Sequence, residues 1–150
     1  MQTVHVPLEG RAYDIRIGEG LIARAGAEIA PLLSRPRVAV ITDETVAGLH
    51  LEALRAGLAG AGIEMVALAL PPGEATKGWE QFSRAVEWLI EQKVERRDMV
   101  LAFGGGVIGG GWAARFLLSG WEVRVFDTDP GAERRLGEVL ENARRALPGL

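Results

Sequence analysis

The stretch that decides the fold is residues 100–114, with the sequence VLAFGGGVIGGGWAA. An apolar run leads into glycines at Gly104, Gly106 and Gly109, and small or apolar residues follow them. This spacing is typical of a parallel sheet in which the strand-to-helix turn offers backbone amides to a dinucleotide pyrophosphate. We therefore predict a strand, a phosphate-binding turn and a helix, in that order.

The three glycines are expected to do different work in that turn. Gly104 allows the tight turn out of the strand, Gly106 leaves room for the pyrophosphate, and Gly109 lets the helix pack close to the sheet. The unpaired N–H groups and positive dipole of the helix start then favour an anion without a lysine or arginine. The alternative interpretation is that the glycines only shape a turn in an ordinary α/β protein.

A second apolar run, residues 123–126, ends at Asp127, which lies 18 residues after Gly109. A carboxylate near this spacing accepts hydrogen bonds from the adenosine ribose. It would also repel a 2′-phosphate, so Asp127 favours NAD over NADP.

Composition limits the class of protein. The 150 residues are 48% hydrophobic and 25% charged, which suits one domain with a real core. Cysteine is absent and the two histidines, His5 and His50, are far apart, so we predict no disulfide, no thiolate chemistry and no metal site. A net charge of −3 argues against nucleic acid and anionic membranes as partners. Without a signal-like or membrane-length segment, the expected location is cytoplasmic.

Apolar patterning predicts an alternation of strands and helices. Two short strands flank a turn near Gly10 and suggest a hairpin, and helical periodicity over residues 21–33 follows. Asp43 follows a buried-type strand and is a candidate helix cap. The predicted strands are residues 3–6, 13–17, 37–42, 63–70, 98–103 and 122–126. Predicted helices follow Asp43, the proline turn at 71–73, the glycine turn, and Asp129.

This order predicts the α/β class: a single doubly wound Rossmann-like domain over residues 1–150, with a mostly parallel sheet and an N-terminal β-hairpin. No repeat or low-complexity linker divides the chain.

Residues 4–109 resemble the N-terminal NAD-binding domain of 3-dehydroquinate synthases. Four motifs carry the resemblance in order: YDIRIG at residues 13–18, TDETV at 42–46, PPGEATK at 71–77 and GGGVIG at 104–109. The resemblance implies an NAD site in which Asp43, Glu74 and Lys77 surround the cofactor. Gly105 and Gly106 lie against its pyrophosphate, within a turn completed by Val107 and Ile108. The alternatives are an N-cap role for Asp43 and a solvated helix start for Glu74 and Lys77.

Residues 104–147 resemble instead the Rossmann domain of 3-hydroxyacyl-CoA dehydrogenases, carnitine dehydrogenases in particular. The residues that carry this are GGGVIGGGWA at 104–113 and VRVFDTDP at 123–130. The synthase pattern would continue with aspartate where this chain has Gly110. We interpret the chain as an engineered chimera, residues 1–109 from one family and 104–150 from the other, joined through the shared turn. A natural recombinant and an unusual single-family protein remain alternatives.

Both resemblances imply that catalytic groups lie in parts of those enzymes that this chain does not match, and neither His5 nor His50 falls in a matching catalytic region. We therefore expect a non-catalytic domain with no catalytic residues and weak NAD binding. The alternative is a fragment of an NAD-dependent enzyme of either type that needs a missing domain or a partner. The apolar surface that the synthase C-terminal domain would cover also suggests a homodimer.

Overall fold

The computed structural model describes residues 2–6, 13–73, 78–104 and 125–126. No helix within these ranges is long and apolar enough to cross a membrane. The elements of this part are β1 Gln2–Val6, β2 Tyr13–Ile17, α1 Ala25–Ile29, β3 Arg37–Asp43, α2 Glu44–Ala59, β4 Glu64–Leu70, α3 Trp79–Glu91, β5 Met99–Phe103 and β6 Val125–Phe126.

Two sheets are present in the described part of the chain. β1 and β2 pair antiparallel, as the hairpin prediction requires, and residues 7–12 that connect them lie outside the described ranges. The other sheet has the order β4-β3-β5-β6, and each neighbouring pair is parallel. The prediction of a mixed α/β fold with a mostly parallel sheet is confirmed.

Helices cover both faces of the parallel sheet. Because strand side chains alternate between faces, Val40 packs with Leu54 and Leu58 of α2, while Ile41 packs with Leu89 of α3. All five side chains are buried. Strands buried on both faces explain why β3 and β5 appear in the sequence as nearly continuous apolar runs.

The first helix is shorter than its sequence pattern predicts. Helical periodicity extends over residues 21–33, but α1 covers only Ala25–Ile29 and a 3-10 helix follows at Ala30–Leu32. Pro31 explains why α1 ends at Ile29, because proline lacks an N–H group and its ring clashes with the preceding turn of an α-helix. The helical periodicity therefore corresponds to helix over residues 25–32, while residues 21–24 form turns.

A cluster of hydrogen bonds around Asp98 lies at the amino ends of β3 and β5. The Arg35 guanidinium donates two hydrogen bonds to its carboxylate, one of them from Nε at 2.8 Å to Oδ1. The Glu95 backbone N–H donates to Oδ2 at 2.7 Å, and the Ser34 hydroxyl donates to the Arg97 carbonyl at 2.9 Å. These bonds tie the segment before β5 to the segment before β3.

Candidate functional site

The strand order creates a crevice between the ends of β3 and β5. From β3 the chain crosses to β4 on one side, and it later returns to β5 on the other side of β3. In open α/β sheets, ligands bind outside the carboxyl ends of the strands at such a reversal. The candidate site therefore lies where Asp43 ends β3 and Gly104 follows β5.

Asp43 connects β3 to α2 and caps the helix. Its backbone is extended (φ −101°, ψ 162°), and its Oδ1 accepts a hydrogen bond of 2.9 Å from the Val46 backbone N–H. The N-cap predicted from the sequence is confirmed. Within the part of the chain that the structure describes, no donor reaches the other carboxylate oxygen, Oδ2. The half-buried Asp43 therefore keeps an acceptor for a hydroxyl group while it caps α2.

The electrostatics at the start of α2 favour a hydroxyl over a phosphate. Asp43 and Glu44 place two carboxylates where the helix dipole is positive. Carboxylates that already occupy this position would repel a phosphate brought close to them, whereas a ribose hydroxyl can donate to one.

Gly104 has a backbone conformation that other residues rarely adopt. Its φ is +108°, and a Cβ built on it would lie 3.0 Å from Cγ2 of Val46. Both the backbone angle and the lack of space therefore require glycine here. This conformation is compatible with the tight turn predicted from the sequence, whose following residues lie outside the described ranges.

Thr42 is a site residue that sequence reasoning missed. Its side chain is buried, and its hydroxyl donates a hydrogen bond of 2.7 Å to the Phe103 carbonyl, the last of β5. Thr42 and Phe103 are also register partners in the parallel pair β3 and β5. The sequence signals were its place in the TDETV motif at residues 42–46 and its polar character at the end of an apolar strand, and neither identifies its partner.

Of the predicted site residues, the structure places Asp43 and Gly104 together at the carboxyl ends of β3 and β5. The others lie outside the described residues: Glu74, Lys77, Gly105, Gly106, Val107, Ile108, Gly109 and Asp127. His50 is exposed on α2. No cluster of three His, Cys, Asp or Glu residues suited to a metal ion occurs among the residues described.

The fold and this end of the sheet together define a Rossmann-like α/β domain in which Asp43 ends one central parallel strand and Gly104 follows the next. Residues 67–128 match the family model described as 3-dehydroquinate synthase N-terminal. The chain is 70% identical over 122 residues to 3-dehydroquinate synthase of Ruegeria pomeroyi, covering 80% of this chain and 33% of that protein. Identity to the same enzyme of Ruegeria sp. strain TM1040 is 72% over 121 residues, 79% of this chain and 32% of the relative. The chain spans about a third of the length of these curated relatives.

The chain is also similar in structure to two solved synthases. A 2-epi-5-epi-valiolone synthase from Streptomyces hygroscopicus with NAD⁺ and Zn²⁺ bound has a TM-score of 0.63 and 28% identity, covering 80% of this chain and 33% of that one. A 2-deoxy-scyllo-inosose synthase has a TM-score of 0.67 over 83% of this chain and 35% of its own, and at 20% identity it shows the fold alone.

The matches bear on the two resemblances differently. The synthase resemblance is supported by the family model, by the curated relatives and by the fold. The family match extends to residue 128, beyond Gly109, and so gives no support to a change of family at that residue. The dehydrogenase resemblance and the chimeric origin remain hypotheses.

Proposed function

We propose that this chain is the NAD-binding part of a dehydroquinate-synthase-type enzyme and binds NAD⁺ at the edge between β3 and β5. The observation that carries the proposal is that Asp43 ends β3 and Gly104 follows β5. These strands are parallel neighbours at the point where the strand order reverses. The NAD⁺ in the 28% identical valiolone-type synthase supports the choice of cofactor.

Each part of the edge suits a different part of the cofactor. The turn at residues 104–109 would take the pyrophosphate on its backbone amides, since glycine allows the close approach that a Cβ would prevent. Oδ2 of Asp43, to which no described residue donates, would accept a hydrogen bond from a ribose hydroxyl. Glu74 and Lys77 follow the carboxyl end of β4 in sequence and complete the proposed set.

A second arrangement follows from the dehydrogenase resemblance of residues 104–147. There Asp127 holds the adenosine ribose, and the position favours this because β6, which pairs with β5, ends one residue earlier at Phe126. The two arrangements differ in which aspartate contributes to affinity. In both, we expect the chain alone to bind cofactor without turnover, because both resemblances imply that the catalytic groups lie in parts of those enzymes that this chain does not match.

The test is an NAD⁺ titration by calorimetry on the wild type and on Asp43→Asn. Asparagine is also a good N-cap, so the substitution keeps α2 capped while it removes the charge that strengthens the ribose hydrogen bond. We expect the dissociation constant to rise about tenfold, in line with about 1.5 kcal/mol for a charged hydrogen bond. Asp127→Asn measures the second arrangement in the same way.

Glu64→Gln is the matched control, because it removes the same charge at the amino end of β4, where Glu64 is exposed and 3.3 Å from Arg37. It should leave NAD⁺ affinity within twofold of the wild type. A wild type that binds no NAD⁺ at millimolar concentration would refute the cofactor proposal. Reduction of NAD⁺ by the purified chain with a hydroxyacyl substrate would refute the lack of turnover.

We also propose that two copies of the chain associate through α3. Trp79 and Ile90 are 73% and 70% exposed, and their spacing of eleven residues is close to three helical turns, so both lie on one face. The half-buried Val86 lies between them on the same face. An apolar stripe of this length is typical of a surface that is covered by a partner.

A further inference from the structure

The hydroxyl of Thr42 forms a hydrogen bond with a peptide group at the proposed cofactor site. Thr42 is 5% exposed and is the one buried polar residue in the described part of the chain. Its hydrogen bond to the Phe103 carbonyl, at 2.7 Å, joins the ends of β3 and β5 at the crevice. Among the described residues, no other side chain donates to the backbone at this edge.

The bond fixes more than one carbonyl. A peptide unit is planar, so the direction of the Phe103 carbonyl also sets the direction of the Gly104 N–H. The φ of Gly104 is +108°, an angle that residues with a side chain rarely adopt. Because glycine has little conformational preference of its own, the orientation of this peptide depends on its neighbours.

Val46 restricts the same turn from the other side. The position of a Gly104 Cβ would be 3.0 Å from Cγ2 and 3.4 Å from Cγ1 of Val46, so these methyl groups lie close to the glycine. The Val46 backbone N–H is itself held by the Asp43 carboxylate. Val46 also packs against the core cluster that contains Val40, Leu101 and Phe103, so its methyl groups have a fixed support.

We propose that Thr42 is a positioning residue, with Val46 as its packing counterpart, that presets the Phe103–Gly104 peptide, where the proposed pyrophosphate site begins. The inference rests on the proposed NAD site and assigns Thr42 no contact with the cofactor. Without the hydroxyl, the Phe103–Gly104 peptide samples other orientations. The apparent affinity for the cofactor then falls in proportion to the fraction of molecules that keep the binding conformation.

The experiment compares Thr42→Val, Thr42→Ser and Val46→Ala with the wild-type chain. Valine has nearly the shape of threonine without its donor, and serine keeps the donor. Calorimetric titrations use NAD⁺ and ADP, which share the pyrophosphate. We expect Thr42→Val to bind both ligands about tenfold more weakly, Val46→Ala about threefold more weakly, and Thr42→Ser within twofold of the wild type.

A destabilised variant separates positioning from general loss of stability. Gly57→Ala lies at the contact between α1 and α2, away from the crevice, and should lower the unfolding midpoint without changing NAD⁺ affinity. In the ligand-free chain, exchange of the Gly104 N–H should quicken more than that of residues 100–102 in Thr42→Val, whereas Gly57→Ala should quicken all of these residues alike, in proportion to its loss of stability.

Several results would overturn the inference. One is equal NAD⁺ affinity of the wild type and Thr42→Val, and another is failure of Thr42→Ser to bind as the wild type does. The others are a loss of affinity in Thr42→Val for NAD⁺ but not for ADP, or an equal loss of NAD⁺ affinity in Gly57→Ala. These results leave the NAD site standing. If the wild type binds neither ligand, the proposed function fails, and the role of Thr42 in cofactor binding fails with it.

Discussion

At the residue scale, Asp98 carries the best-defined electrostatics in the described chain. Its carboxylate is 8% exposed. Burial raises the pKa of such a carboxyl, but the hydrogen bonds from Arg35, the Glu95 N–H and Ser34, together with the charge of Arg35, outweigh burial and lower the Asp98 pKa below its ordinary value of 3.8. The same contact raises the pKa of Arg35.

A lowered pKa makes the contribution of Asp98 to stability depend on pH. Because the folded state binds the proton less tightly than the unfolded chain, the stabilisation is complete above about pH 4 and is lost as the pH falls through the folded-state pKa. We expect Asp98→Asn to lower the free energy of unfolding by about 1 to 2 kcal/mol at pH 7. Urea unfolding from pH 7 to pH 2.5 should show this difference shrinking below pH 4.

Glu95→Gln is the matched control for that measurement. Glu95 is 78% exposed and lies 3.9 Å from Arg35, so loss of its charge should change stability by less than about 0.5 kcal/mol. A difference between Asp98→Asn and wild type that stays constant down to pH 2.5 would contradict the role assigned to the charge.

Residues at the candidate site differ in how well sequence predicts them. The capping role of Asp43 was predictable because the bond to Val46 spans three residues and depends only on local geometry. The bond from Thr42 to Phe103 spans 61 residues and exists only because β5 pairs with β3, which no local pattern encodes. Gly104 falls between these cases. The local sequence predicted a glycine after the strand, but it did not predict the approach of Gly104 to Val46, which is distant in sequence.

At the element scale, α1 and α2 pack closely through two glycines. A Cβ on Gly57 would lie 2.7 Å from the Ile22 carbonyl oxygen and 2.9 Å from that of Ala23. A Cβ on Gly26 would lie 2.4 Å from the Gly57 carbonyl oxygen. The neighbours are backbone atoms, which cannot turn aside as a flexible side chain does.

Gly57→Ala should therefore destabilise the protein although alanine favours helix more than glycine does. The clash forces the segment before α1 away from α2, at an expected cost of about 1 to 3 kcal/mol. Urea unfolding followed by circular dichroism measures the shift.

Gly48→Ala is the control on the same helix, because a Cβ there meets nothing within 4 Å. It should stabilise the protein by up to about 1 kcal/mol through helix propensity alone. If both substitutions stabilise the protein to the same extent, the close approach of α1 to α2 is not a constraint in solution.

Strands were more predictable than helices in this chain. The predicted strands at residues 37–42, 63–70 and 98–103 agree with β3, β4 and β5 to within one residue at each end. Their apolar runs are buried on both faces, so pattern and structure coincide. Helix bounds were less predictable, since the helical period of residues 21–33 includes turns at 21–24 and changes to a 3-10 helix at Ala30.

At the scale of the whole molecule, the glycine stretch predicted a phosphate-binding turn, and the strand order determined which residues lie beside its first glycine. Sequence placed Gly104 after a strand, but only the reversal between β4 and β5 brings β3 beside it. The doubly wound class followed from alternation along the chain, whereas strand order is a choice among topologies with the same alternation. The partners of Gly104 therefore required the structure.

The exposed stripe on α3 makes self-association a property of the whole molecule that can be tested. Size-exclusion chromatography with light scattering should give the mass of a dimer for the wild type and of a monomer for Ile90→Lys, because a buried ammonium opposes contact between two stripes. Ile90 is 70% exposed, so the substitution should cost the monomer less than about 0.5 kcal/mol. Leu49→Lys, on α2 and 69% exposed, places the same charge on a surface outside the stripe and should remain dimeric. A monomeric wild type, or dissociation by Leu49→Lys instead of Ile90→Lys, would contradict an interface on α3.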